Sequence, residues 1–354
     1  MLELIKKTIK KNLPSNLFLN FFLPNKQDPF RKFLYYPILY LFFDIIYYRK
    51  TRSTKFKKGR VFDCVMFSNE IDMLDLRLTE LNDVVDYFII VESTFNHKGE
   101  KKDLNFDINK FVKFKDKIKY YTLDSQSPEI EEIKTNDSED EKSSKYILNG
   151  YRRDHYQRNY LSKGIKYADA EDIIIISDID EIPKLENVNL ETVRNDLILF
   201  NQKMCYYMFN LYHEDYNWVG SRLCKKKRLK SPQWLRDVKP KKYPLWRLDN
   251  LFSKNKYANI RFINDGGWHF SYLNTPELIE QKLKSYTHHR EYDLNPIGLK
   301  NIAERIKNRE SVYNLSMDKR VNKFSSGVKL KILNDIELPK YLVDNKEKFK
   351  NWLD

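Results

Sequence analysis

The residues best placed to do chemistry are Ser177-Asp178-Ile179-Asp180-Glu181-Ile182-Pro183, which follow four consecutive isoleucines at 173–176. If the chain stays extended there, Asp178 and Asp180 project to one side and Ile179 to the other. Two such carboxylates repel each other unless a cation lies between them. Mg2+ or Mn2+ takes oxygen ligands of this kind and can bridge them to phosphate. A bare Asp-x-Asp also fits a solvated turn, so the surrounding elements must decide. Ser68-Asn69-Glu70 and Glu92-Ser93 likewise follow β-rich stretches. In open α/β sheets, ligands bind outside the carboxyl ends of the strands. Glu70 alone also suits the first turn of a helix, where acidic residues are favourable.

The elements that would position these residues are legible from periodicity. Residues 61–67 are β-rich, and Ile71, Leu74, Leu78 and Leu81 then repeat at helical spacing. Strands are expected at 87–91 and 117–123, a polar surface loop at 124–145 and a helix at 150–168. The run 173–176 has the length and β-branching of a buried parallel strand. Strands alternating with helices imply an α/β sheet covered on both faces. Thr275 can cap a helix with Pro276 at its first position, continuing through Lys282 and Leu283. Three regions are expected: an N-terminal helical and aromatic extension at 1–58, a catalytic domain at 59–299, and a peripheral helical region at 300–354.

The chain has 354 residues, 41% hydrophobic and 14% aromatic, with a formal net charge of +14. This composition fits a folded body rather than a disordered chain. Its basic field attracts polyanions of every kind, but the lysines are scattered and no nucleic-acid module is recognisable, so no nucleic-acid partner is expected. Cys64, Cys205 and Cys224 are odd in number and widely spaced, which excludes a disulfide framework and a Cys-x-x-Cys zinc site. The apolar stretch at 33–48 is short for a membrane span, contains Asp44 and has basic flanks. It reads as an interfacial or docking helix, giving a cytoplasmic protein or one held peripherally on a membrane face rather than by a Golgi-type anchor.

The ordered set of motifs resembles glycosyltransferase family 17 over residues 61–292. The resemblance rests on Val61-Phe62-Asp63-Cys64 through Asn69-Glu70, on Asp72-Met73-Leu74-Asp75-Leu76-Arg77 with Glu80-Leu81, on Asp83-Val84-Val85-Asp86, and on Val91-Glu92-Ser93. It continues in Arg158-Asn159, the 178–183 motif, Gly267-Trp268-His269-Phe270-Ser271 and Thr275-Pro276-Glu277. The resemblance implies a GT-A-type fold with a mixed, mainly parallel sheet. It also implies a nucleoside-diphosphate sugar donor, UDP-N-acetylglucosamine, a glycan acceptor and inversion at the anomeric carbon. On that reading Asp180 contacts the metal directly, Asp178 contacts ribose or the metal, and His269 is the third protein ligand. An imidazole would favour Mn2+ over Mg2+, and Gly266-Gly267 would let backbone approach the diphosphate. A hydrogen-bonded core histidine is the alternative for His269. Asn69, Glu70, Glu92 and Ser93 are expected on the nucleotide side, and Arg153, Arg158 and Lys282 on the departing diphosphate. Asp265, Glu181 and Glu214 are the candidate general bases, with Asp265 preferred.

Two other readings compete. A haloacid-dehalogenase-like phosphatase would use Asp178 as nucleophile, although Glu181 stands where such motifs carry Thr or Val. A non-catalytic sugar-nucleotide or membrane-surface binding protein would rely only on the charge and the aromatic N-terminus.

Overall fold

The computed structural model describes residues 59–190, 193, 197–244, 249–285, 289–314 and 324–354. The N-terminal extension expected at 1–58 lies outside them. The chain divides into two compact units, residues 1–54 with 241–258, and residues 55–240 with 259–354. Within the described part of the first, Asp249–Phe252 is a short helix and Lys256 pairs with Asp249 at 2.8 Å.

The second unit is built on a ten-stranded sheet. Its strands are β1 (Val61–Phe67), β2 (Tyr87–Ser93), β3 (Ile118–Leu123), β4 (Ile173–Ser177), β5 (Glu181–Pro183), β6 (Leu197–Tyr206), β7 (Leu211–Lys225), β8 (Ile260–Ile263), β9 (Gly267–Ser271) and β10 (Lys331–Ile332). The order is β3-β2-β1-β4-β7-β6-β9-β5, with β10 on β7 and β8 on β6. Pairing is parallel from β3 to β4 and becomes mixed beyond, where β7 runs antiparallel to both β4 and β6. This is the α/β architecture expected from the sequence.

Chain direction across the sheet reverses at β1: the early strands add on one side of it and β4 on the other. Right-handed crossovers then place helix α1 (Ile71–Leu81), between β1 and β2, and helix α2 (Glu139–Tyr160), between β3 and β4, on opposite faces. The reversal opens a crevice between the carboxyl ends of β1 and β4, the place where ligands bind in such sheets. Leu74, Leu78 and Leu81 of α1 pack with Val61, Val65, Ile173 and Ile175 in the larger core.

Three elements depart from the sequence reading. Helix α2 begins at Glu139, inside the stretch expected to be loop. The cause is a reciprocal cap, in which the Ser138 amide donates to Glu141 Oε2 at 2.8 Å and the Glu141 amide donates to Ser138 Oγ at 3.3 Å. Residues from 300 on are not uniformly peripheral: Leu338, Leu342 and Phe349 belong to the larger core, and the Tyr341 amide donates to Glu80 Oε1 at 2.6 Å. Gly267, with φ of +113°, abuts β5 rather than an open cleft; a Cβ there would lie 2.1 Å from the Ile182 carbonyl. Its lack of a side chain therefore serves the β5–β9 pairing, not approach to a diphosphate. Among the described residues, no helix is long and apolar enough to cross a membrane.

Candidate functional site

The Asp178-Ile179-Asp180-Glu181 segment is a tight turn, closed by the Glu181 amide donating to the Asp178 carbonyl at 3.1 Å. The extended geometry expected from the sequence is thereby replaced, and the two aspartates take different partners. The buried carboxylate of Glu181 drives this, since its Oε2 accepts the Asp178 amide at 3.0 Å. From the α1 side Arg77, itself fully buried against Asp63 at 2.6 Å, donates to the Asp178 and Glu181 carbonyls at 3.3 and 2.5 Å. The turn is thus fixed through its backbone.

Two guanidiniums clasp Asp178. Arg158 of α2 donates to Oδ1 at 3.0 Å, and Arg236, from helix α3 (Pro232–Asp237), donates to Oδ2 at 2.9 Å. Arg158 is held in turn by Asp154 at 2.6 Å and Gln233 at 2.6 Å. Burial works against the charge on Asp178, but Arg236 and Arg158 outweigh it and hold the carboxyl well below the usual range. Glu181 accepts from Arg236 on both oxygens, at 2.9 and 2.7 Å, and from the Trp218 indole at 2.6 Å. With the Asp178 amide, its oxygens accept four bonds and the side chain is fully buried. A carboxylate so engaged has no position left for an acceptor proton.

Asp180 faces the other way. His269 Nε2, on β9, lies 3.5 Å from Oδ1, and Lys282 Nζ, on helix α4 (Pro276–Ser285), lies 4.0 Å from Oδ2. Burial disfavours both charges of the Asp180–His269 pair, yet each stabilises the other: Asp180 is lowered and His269 raised from its ordinary value. His269 Nδ1 is buried with no hydrogen-bond partner. One carboxylate and one imidazole form the O,N donor set that suits Mn2+. Among the described residues, no group of three or more His, Cys, Asp or Glu side chains is arranged to hold a metal ion. These two would therefore hold one only with ligand or water oxygens completing its shell.

Beside Asp180 opens a cavity of about 160 Å³ whose wall includes Asn69, Glu70, Asp180, Asn274, Lys282 and Trp352. It joins the loop after β1 to the turn after β4. Of the residues expected on the nucleotide side, it gathers Asn69 and Glu70 with Asp180 and Lys282.

The other candidates lie elsewhere. Glu92 is fully buried and accepts from Lys102, the amides of Asn105 and Phe106, and the Tyr120 hydroxyl, at 2.8 to 3.1 Å. Ser93 Oγ accepts the Phe95 amide at 3.1 Å. Both anchor the loop after β2. Arg153 is pinned to Gln126 at 2.6 Å and to the His97 carbonyl at 3.1 Å. Asp265 sits in the β8–β9 turn, paired with Lys184 at 3.1 Å and Lys203 at 3.2 Å. Lys184 stands four positions beyond Asp180, on the other side of β5 and at most roughly 13 Å along an extended chain, so Asp265 occupies the far end of β5. Glu214 is half exposed on β7 and pairs with Lys331. Asp265, the preferred base, thus fails on position, because linear proximity to a motif does not decide which end of a strand a residue occupies. Sequence reasoning missed Arg236 and Trp218, which lie far from the motif along the chain. The only local sign was Ser231-Pro232 opening a short helix, in which Ser231 Oγ accepts the Trp234 amide at 3.0 Å.

A sequence model of glycosyltransferase family 17 matches residues 24–354. The chain is 26% identical over 245 residues to the β-1,4-mannosyl-glycoprotein 4-β-N-acetylglucosaminyltransferase of Homo sapiens, covering 64% of this chain and 43% of that protein. The Mus musculus enzyme of the same name is matched at the same identity, over 42% of its length. The chain therefore spans less than half the length of the curated relatives it matches. A mannosyltransferase from Pyrobaculum calidifontis, solved in complex with GDP-Man and Mn2+, is similar over 52% of each chain, with 10% identity and a TM-score of 0.26. A likeness that low carries no weight for the site. The extent of the family match is decisive: the chain belongs to glycosyltransferase family 17.

Proposed function

We propose that the protein transfers N-acetylglucosamine from UDP-N-acetylglucosamine to a hydroxyl of a mannose-containing glycan, inverting the anomeric carbon. The observation that carries this reading is the cavity shared by Asn69, Glu70, Asp180 and Lys282 at the β1–β4 reversal. The transferred sugar and the acceptor are taken from the names of the relatives, and the UDP donor from the family resemblance of the motifs. Asp180 and His269 would hold a divalent ion, Mn2+ by their chemistry, which when bound supplies positive charge to the diphosphate. Lys282, 39% exposed and reaching toward Asp180, neutralises the same charge as the sugar departs. Asp178 keeps Arg158 and Arg236 in place, so its part is to fix the turn that aims Asp180. A phosphatase would need Asp178 as a free nucleophile, and both its oxygens are bonded to arginines.

The catalytic unit is proposed to run from residue 59 to 354, because Trp352 walls the cavity. Residues 1–58 are proposed to contact a membrane surface, with the protein cytoplasmic or peripheral; their deletion should abolish flotation with anionic liposomes. The main test is calorimetric titration with UDP, with and without Mn2+, beside a transfer assay. Asp180→Asn should weaken Mn2+-dependent UDP binding by at least about 10-fold and abolish transfer while leaving the fold intact. Equal UDP binding with and without Mn2+ in the parent protein would sink the metal assignment.

A further inference from the structure

We propose that Glu70 is the carboxylate that takes the proton from the acceptor hydroxyl, an assignment that rests on the transfer reading above. A base for this step must stand free of cations, within reach of the acceptor and on the wall of the cavity that holds the donor. Glu181, Asp265 and Glu214 each fail one of these conditions. Glu70 meets them. It directly follows the loop that ends β1, at the reversal of strand order, and lines one cavity with Asp180 and Lys282.

Local geometry fixes this carboxylate without consuming it. Glu70 occupies the N-cap position of α1 but makes no side-chain cap to that helix. Its Oε2 instead accepts the preceding amides of Ser68 at 3.2 Å and Asn69 at 3.0 Å. Among the described residues, no cationic side chain pairs with it, and Oε1 has no bonded partner. The wall is completed by the amides of Asn69 and Asn274, suited to sugar hydroxyls, and by apolar Met73, Phe270 and Trp352.

The step balances as follows. A lone pair of the acceptor oxygen forms the new bond to the anomeric carbon as the bond from that carbon to the diphosphate oxygen breaks. That bonding pair leaves on the diphosphate, beside Lys282. The hydroxyl proton passes to Glu70 and then to solvent. Asp72 lines the same cavity but is exposed in the first turn of α1.

The test uses the full chain, UDP-N-acetylglucosamine and an N-glycan with a β-linked mannose core, with Glu70→Gln and Asp72→Asn assayed in parallel. Glutamine keeps an oxygen for the Ser68 and Asn69 amides, and thermal unfolding checks that the fold survives. The expected result for Glu70→Gln is a fall in kcat of about 100-fold or more, with Mn2+-dependent UDP affinity and the acceptor KM unchanged. Lost UDP affinity would overturn the assignment, making Glu70 a donor-binding residue. Retained turnover, or loss in Asp72→Asn alone, would overturn it too. If the parent protein binds UDP but transfers to no glycan, the transfer reading falls and the base falls with it. If the parent transfers and Glu70→Gln also transfers, only the base falls.

Discussion

Asp63 and Arg77 each interrupt an apolar segment. A charge on the buried face of a strand or helix survives only when paired. They pair with each other, fully buried at 2.6 Å, and Arg77 carries the turn that presents Asp180. Arg77→Leu should therefore destabilise the fold by about 3–5 kcal/mol, because Asp63 is left buried and unpaired; urea unfolding measures this. Asp178 predicts a pH effect of definite sign. Its carboxyl titrates below its ordinary 3.8 in the folded protein, so it contributes stability that is fully present above 3.8 and is lost as pH falls toward the folded value. Asp178→Asn should be less stable than the parent at neutral pH, and the gap should close as pH drops below about 3.8. A gap that widens on acidification would refute the arginine clasp. The aspartates were identifiable from the sequence, but their separate roles were not. Those depended on Arg236, 58 residues away along the chain.

At the scale of elements, the strand at 61–67 was read correctly because it is an almost continuous apolar run, buried on both faces, and the helix that follows it because its apolar residues recur at helical spacing. The start of α2 was missed because its first turns are polar and charged, and hydrophobic periodicity is blind there. Ser138 and Glu141 carried the signal as a capping pair. The C-terminal segment was misjudged for a related reason. Leu342 and Phe349 look like isolated apolar residues in a polar tail, yet they fill the core beneath α1. Leu342→Ala should cost about 2–5 kcal/mol, measured by the shift in the urea midpoint. Trp352→Ala should leave the fold intact and raise the acceptor KM, as checked by initial-rate kinetics. A change confined to stability would show that Trp352 only packs.

For the whole molecule, the formal charge of +14 implies a field that draws in a dianionic or trianionic nucleotide. UDP affinity should fall with rising salt, read as Kd at low and high ionic strength, while Asp180→Asn should retain the salt dependence but lose the Mn2+ dependence. The sequence by itself determined the α/β class, the family motifs and the concentration of carboxylates after β4. These follow from local periodicity and residue type, which need no knowledge of distant contacts. Only the tertiary structure decided that Asp178 and Asp180 face apart, that Glu181, Glu92 and Asp265 are bound up in structural contacts, and that Glu70 shares a cavity with Asp180. The physical reason is that a carboxylate's availability depends on which cations and amides surround it. For Asp178 and Glu181 those partners come from α2, α3 and β7, which the fold brings together from distant parts of the chain.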